Sequence, residues 1–80
     1  MKILKFAASW CQPCKMLSGM LESTDLGIPV EEVDIDENME LTMKYGVRGV
    51  PTMVLLNDEG VEVRRLTGLP TKAQLESLKA

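Results

Sequence analysis

The order in which strand-like and helix-like patterns alternate constrains the fold of this 80-residue chain more than any other feature. An apolar segment over Lys2–Phe6 precedes helical spacing of apolar residues over Cys11–Ser23, and a second strand pattern follows over Val30–Ile35. Two adjacent strands that are joined by a helical crossover run parallel to each other. The first half of the chain therefore predicts a β-α-β unit.

The segment after the second strand predicts another helix. Asp36 is a suitable N-cap residue, and the helix is expected to run through Tyr45 until Gly46 stops it. Methionine is flexible enough to fill irregular gaps in a core. We therefore expect the methionines of both helices to face the core: Met16, Met20, Met39 and Met43.

The last third of the chain predicts a hairpin and a final helix. Thr52–Leu56 has the apolar composition of a buried strand, and Asn57–Gly60 has the composition of a turn that leads into a partner strand over Val61–Leu66. Thr71 is expected to cap a helix whose inward residues are Ala73, Leu75 and Leu78. The order β-α-β-α-β-β-α predicts an α/β fold in which helices flank a four-stranded mixed sheet, in a single domain spanning residues 1–80.

Two cysteines, Cys11 and Cys14, lie where the first strand pattern gives way to the first helix. A thiol at the first turn of a helix faces unpaired backbone N–H groups, which favour the thiolate. A second thiol three residues later lies about one turn away, within reach of the first sulfur. This arrangement suits the making and breaking of a disulfide.

Other interpretations of the cysteine pair remain open. A structural zinc site needs about four soft ligands, and the chain offers two cysteines and no histidine, so we expect no metal. A purely structural disulfide that closes a loop of about four residues contributes only ~2 kcal/mol in the chain-entropy model. Two inert buried thiols would leave the intervening Pro13 and the strand–turn–helix context unexplained. The pattern favours redox chemistry.

The charge and hydropathy of the chain exclude several classes of partner. A net charge of −3 gives no reason to expect binding to nucleic acid or to an anionic membrane. No apolar run approaches the length of a transmembrane helix, and Met1–Leu4 is too short for a signal peptide. We expect a cytoplasmic monomer without a cofactor.

Three separated motifs resemble the thioredoxin family. Trp10–Lys15 (WCQPCK) resembles its active-site segment, with Gln12 where the usual member has glycine. Lys44–Thr52 (KYGVRGVPT) resembles its second signature, the turn that carries a cis-proline, and Gly68 matches its glycine near the disulfide. The family's first strand and helix have no counterpart, so the chain resembles a compact thioredoxin of glutaredoxin size. The resemblance implies a thioredoxin-like fold.

The resemblance also implies roles for individual residues. Cys11, expected to lie nearer to solvent, would attack a substrate disulfide, and Cys14 would resolve the mixed disulfide. The implied partners are proteins that contain disulfides and a thioredoxin reductase or another dithiol donor. The implied substrate-binding residues, of which Gln12 and Pro13 would also tune the redox balance, are Trp10, Gln12, Pro13, Gly49, Val50, Pro51 and Gly68.

Two of these assignments compete with simpler ones. Trp10 is interpreted as a platform beside the disulfide, and the alternative is a core side chain. A cis Val50–Pro51 bond would leave the Val50 backbone beside the sulfurs, able to pair with an extended substrate segment. The alternative is that residues 47–52 form only a turn between a helix and a strand.

One position departs from the family pattern. Thioredoxins usually bury an aspartate in the strand before the active site, where this chain has Lys5, and they usually have a lysine where it has Glu32. We hypothesise a charge-swapped buried pair near Cys14, in which Glu32 accepts the proton of the Cys14 thiol. The alternative is that both charged groups reach solvent.

The sequence therefore predicts a general protein dithiol–disulfide oxidoreductase. A glutaredoxin-type enzyme that draws electrons from glutathione is one alternative. A subunit that binds partners through the surface around Trp10, Val50 and Gly68, without using its thiols, is another.

Overall fold

The computed structural model describes residues 1–79, in which four strands and three helices occur in the predicted order. The elements are β1 (Lys2–Ala7), α1 (Gln12–Glu22), β2 (Val30–Asp34), α2 (Met39–Lys44), β3 (Thr52–Leu56), β4 (Glu62–Thr67) and α3 (Lys72–Ser77).

The four strands form one mixed sheet in the order β2-β1-β3-β4. β1 runs parallel to β2 and antiparallel to β3, and β3 runs antiparallel to β4. The predicted parallel pair and the predicted hairpin are both confirmed. The central strands β1 and β3 are buried along nearly their whole length, which explains their continuous apolar runs.

Helices cover both faces of the sheet. On one face, Leu17 of α1 and Leu75 of α3 pack in a cluster with Ile3 of β1. On the other face, the partly buried Leu41 of α2 packs against a cluster that contains Phe6. Because successive side chains of a strand point to opposite faces, β1 contributes to both layers. Burial of each such side chain contributes roughly 1.5–3 kcal/mol to folding.

The prediction that Asp36 caps α2 is wrong, because Asn38 holds that position. The Asn38 side chain accepts a hydrogen bond from the Leu41 N–H at 3.2 Å. The Asp36 carboxylate is occupied elsewhere, since it accepts a hydrogen bond from the Trp10 indole at 3.0 Å. A turn that begins at Asp34 therefore separates the end of β2 from α2.

Several residues that were expected in the core are exposed. Met39 and Met43 lie on the solvent side of α2. They share one side of the helix, whereas Leu41 is about 200° away from Met39 and takes the side that faces the sheet. The remaining departures are an exposed Met16 on α1 and an exposed Ala73 on α3. Of the helical methionines, Met20 packs partly buried against the core, as expected.

Arg65 on β4 ties the end of α2 to the sheet. Its Nη2 donates to the carbonyl of Tyr45 at 2.6 Å and to Glu62 Oε1 at 2.7 Å, and its Nε donates to Glu62 Oε2 at 2.9 Å. The hydrogen bonds from Arg65 lower the pKa of the Glu62 carboxyl below its usual value of 4.5. Arg65 thereby anchors the beginning of the loop that leads from α2 to β3.

Replacing Arg65 with methionine removes its hydrogen bonds to Glu62 and should lower the free energy of unfolding at pH 7. The loss should be only about 1 kcal/mol, because both Arg65 and Glu62 are partly exposed to water. Folding lowers the Glu62 pKa, so the pair stabilises the protein at pH values above 4.5. That stabilisation is lost as the pH falls through the pKa that Glu62 has in the folded state. The difference between wild type and Arg65→Met should therefore shrink below about pH 4.5 in urea unfolding.

Arg64→Met is the matched control, because Arg64 donates to the Ser77 carbonyl and not to a carboxylate. Its effect on stability should not change over the same pH range. An Arg65→Met difference that stays constant down to about pH 3 would contradict the role of the Glu62 pair.

Candidate active site

The two cysteines form a disulfide at the N-terminus of α1, with their Cα atoms 5.3 Å apart. Cys11 is the N-cap residue, and its Sγ accepts a hydrogen bond from the Cys14 backbone N–H at 3.2 Å. Pro13 lies in the first turn of the helix, where its missing N–H leaves no helical hydrogen bond unmade. The helix N-terminus favours negative charge on the Cys11 sulfur.

Cys11 and Cys14 are almost equally shielded from solvent in this disulfide form, so the expectation that Cys11 lies nearer to solvent stays a prediction. Cys11 is 4% exposed and Cys14 is 3% exposed. Both pack in one cluster with Ala7 and Ala8, and the partly buried Val50 lies against that cluster. The two cysteine residues therefore differ more in their surroundings than in their exposure.

Cys14 lines a cleft of about 240 Å³ that also reaches the edge strand β2. Ser18 of α1 lines the cleft on the helix side, and Glu32 and Asp34 line it on the β2 side. Cys14 therefore shares a cleft with two carboxylates, and Ser9 and Lys15 also line that cleft.

Trp10 is 66% exposed, which excludes a core role for its side chain. Its indole N–H donates to Asp36 Oδ2, and this bond joins the segment before α1 to the turn before α2. The exposed Gln12 and Pro13 follow on the first turn of α1. Trp10 therefore directly precedes the cysteine pair, and Gln12 and Pro13 lie between its two members.

The segment just before β3, which carries the second family motif, also lies beside the cysteine pair. The Val50–Pro51 peptide bond is cis, and the buried Pro51 accepts a hydrogen bond at its carbonyl from the Gly68 N–H at 2.8 Å. Gly68 has a φ of +79°, a conformation that glycine adopts without strain. An open depression of about 470 Å³ is lined in part by Gly49, Val50 and Gly68.

Lys5 and Glu32 form the expected ion pair, with Lys5 Nζ 2.8 Å from Glu32 Oε1. The two residues are direct partners in the register of β1 and β2. Only one of them is buried: Lys5 is 3% exposed, whereas the Glu32 side chain is 63% exposed. The alternative in which both groups reach solvent therefore does not hold for Lys5.

Ser18 also contacts the Lys5–Glu32 ion pair, and the sequence did not single it out. Lys5 Nζ also donates to Ser18 Oγ, and the Ser18 hydroxyl donates to the Cys14 carbonyl at 3.2 Å. The signal was available, because Ser18 lies four residues after Cys14 and thus on the same side of α1.

The helices of residues 1–79 are all too short or too polar to cross a membrane.

Comparison with known proteins identifies the family. The thioredoxin family model matches residues 1–79. The SPbeta prophage-derived thioredoxin-like protein YosR of Bacillus subtilis is 39% identical over 79 residues, which cover 99% of this chain and 96% of that protein. The thioredoxin of the same organism is 40% identical over 77 residues, which cover 91% of this chain and 73% of that protein.

Solved structures agree with the sequence comparison. The thioredoxin of Fasciola hepatica matches with a TM-score of 0.83 at 32% identity, covering 95% of this chain and 75% of that one. A mutant thioredoxin from Halobacterium salinarum matches with a TM-score of 0.83 at 42% identity, covering 95% of this chain and 68% of that one. With its Cys11–Cys14 pair in place, the chain belongs to the thioredoxin family of thiol–disulfide oxidoreductases.

Proposed function

We propose that the chain is a general reductant of protein disulfides, in which Cys11 is the nucleophile and Cys14 is the resolving thiol. The observation that carries this assignment is the hydrogen bond from the Cys14 N–H to Cys11 Sγ at the start of α1. A backbone donor at a helix N-terminus stabilises a thiolate more than a thiol. The donor is directed at Cys11, so we assign the first attack to Cys11.

The reaction proceeds through two exchanges. The Cys11 thiolate attacks one sulfur of a substrate disulfide, and the other substrate sulfur leaves as a thiolate that takes a proton from water. The Cys14 thiolate then attacks Cys11 Sγ, which forms the Cys11–Cys14 disulfide and releases the second substrate sulfur. The substrate gains two electrons and the cysteine pair loses two. A dithiol donor such as a thioredoxin reductase must return them.

The separation of the two cysteines supports the second step. Their Cα atoms are 5.3 Å apart, so resolution needs only local movement of one sulfur toward the other. Well-oriented intramolecular groups reach effective concentrations of ~10⁵ M or more, which greatly exceeds the concentration of any external thiol. Proximity is therefore the main reason that Cys14 outcompetes other thiols for the mixed disulfide.

The substrate would lie across the surface formed by Trp10, the turn at Val50 and Gly68. Within residues 1–79, the backbone hydrogen bonds outside helices and strands do not use the Val50 N–H or C=O. An extended substrate segment can pair with such free groups. Gln12, Pro13, Gly49 and the buried Pro51 complete the proposed contact region.

We propose that residues 1–80 form a single domain. We also propose that the protein acts as a monomer, which leaves the substrate surface open to large partners. We assign it to the cytoplasm, because a reducing compartment keeps such cysteine pairs in the dithiol form.

Insulin reduction tests the assignment of the two cysteines. The wild-type chain should reduce insulin with dithiothreitol as the donor, and Cys11→Ser should abolish this activity because it removes the sulfur that accepts the N–H at the start of α1. Cys14→Ser, reduced beforehand and freed of dithiothreitol, should stop after one exchange with insulin and accumulate a mixed disulfide, visible by non-reducing mass spectrometry. Activity that survives in Cys11→Ser would refute the assignment.

The electron donor is tested with the same assay. NADPH with a thioredoxin reductase should sustain insulin reduction by the wild-type chain, whereas glutathione with glutathione reductase should not. The opposite result would make the chain a glutaredoxin-type enzyme. Failure with every donor, dithiothreitol included, would favour a protein that binds partners without using its thiols.

We also propose that Glu32 accepts the proton of the Cys14 thiol before resolution. Glu32 lines the same cleft as Cys14, and its carboxylate is exposed enough to pass a proton to water. Glu32→Gln should therefore slow resolution of a Cys11 mixed disulfide roughly tenfold near neutral pH, and less at pH 9, where hydroxide removes the proton. Stopped-flow measurements over pH 6–9 follow this step.

Asp34→Asn is the matched control, because Asp34 lines the same cleft but accepts a hydrogen bond from the Asp36 N–H. It should leave the pH profile of resolution unchanged. Rates for Glu32→Gln that equal those of wild type throughout pH 6–9 would show that Glu32 has no part in the proton transfer.

A further inference from the structure

The mechanism proposed above does not use the buried cation at Lys5. The Lys5 side chain lies on the α1 side of β1 and is almost completely shielded from water. Its ammonium group donates to Glu32 Oε1 at 2.8 Å and to Ser18 Oγ. Burial of a charged lysine is costly, so this position calls for a physical explanation beyond packing.

A short chain of hydrogen bonds connects the ammonium group to the resolving cysteine. Ser18 accepts from Lys5 and donates to the Cys14 carbonyl, so two hydrogen bonds separate the cation from the Cys14 backbone. Cys14 is as deeply buried as Lys5. Charges interact strongly in such surroundings because little water lies between them to screen the field.

The other charged groups near Cys14 are more exposed than Lys5, so water screens their charges more strongly. Glu32 pairs with Lys5, but water surrounds most of its side chain and screens its charge. Asp34 and Lys15 line the same cleft as Cys14; Asp34 accepts a hydrogen bond from the Asp36 N–H, and Lys15 is exposed on α1. The buried member of this set is a cation.

We propose that Lys5 is a positioning residue whose buried charge stabilises the Cys14 thiolate during resolution of the mixed disulfide. The inference rests on the proposed function and deepens it. Glu32 takes the proton from the Cys14 thiol, and Lys5 holds the resulting thiolate until its electron pair forms the bond to Cys11 Sγ. The substrate sulfur leaves with the electrons of the broken bond.

The charge on Lys5 also acts on the redox equilibrium. The disulfide carries no charge, whereas the reduced pair gains stability when either sulfur is a thiolate. The helix N-terminus supports the thiolate of Cys11, and Lys5 supports that of Cys14. Lys5 therefore makes the pair more oxidising than the same pair without the cation.

Direct titration of Cys14 tests this inference. In a Cys11→Ser background, the absorbance of the thiolate at 240 nm gives the apparent pKa of the Cys14 thiol. Lys5→Met and Lys5→Gln should each raise that pKa by about one unit, which is about tenfold less thiolate at a given pH below it. Two neutral replacements are used, so that the test stands if one of them does not fold by circular dichroism.

Lys15→Met is the matched control, because it removes an exposed lysine from the same cleft. It should change the thiolate fraction by less than about twofold, since water screens the charge at that position. With both cysteines present, Lys5→Met should also shift the equilibrium with glutathione several-fold toward the disulfide at about pH 9, where thiolates dominate the reduced state.

A Cys14 pKa that does not move in either Lys5 variant would overturn the inference, as would an equal shift in Lys15→Met. Opposite shifts in Lys5→Met and Lys5→Gln would also overturn it, because both variants remove the same charge. The titration needs no turnover, so it is independent of the insulin assay. A wild-type chain that fails with insulin removes the proposed function, whereas an active chain with an unshifted titration removes only the role of Lys5.

Discussion

The hydrogen bond from the Cys14 N–H to Cys11 Sγ is the interaction on which the site depends. It exists because β1 ends at Ala7 and α1 begins directly after Cys11. Leu17 fixes α1 against the sheet, one turn beyond the cysteine pair. The packing of one helix on one strand thus determines where the helix N-terminus meets the first sulfur, and the proposed role of Cys11 rests on that placement.

The alternation of side chains along β1 places Lys5 on the same face of the sheet as α1. Phe6 points toward α2 and fills one layer of the core, whereas Lys5 points toward α1 and reaches Ser18. One strand therefore supplies both a packing residue and a buried charge. The two cysteines receive different electrostatic support, Cys11 from the backbone of α1 and Cys14 from the β1 side chain at Lys5.

Local patterns predicted most of the fold. The order of elements, the parallel β1–β2 pair and the β3–β4 hairpin follow from hydrophobic period and turn residues, which neighbouring residues determine. Local patterns did not predict the N-cap of α2 correctly, because the Asp36 carboxylate accepts a hydrogen bond from Trp10, which lies 26 residues earlier in the chain. The deep burial of both cysteines could not be predicted from local pattern, since it depends on packing contributed by distant segments such as the turn at Val50.

The assignment of Cys11 as the activated thiolate is tested most directly by alkylation of the fully reduced protein. A limiting amount of iodoacetamide at pH 7, followed by peptide mass spectrometry, measures the rate at each cysteine. The account predicts that Cys11 reacts at least about tenfold faster than Cys14, because the Cys11 sulfur accepts the backbone N–H at the start of α1. Equal rates, or faster alkylation of Cys14, would contradict it.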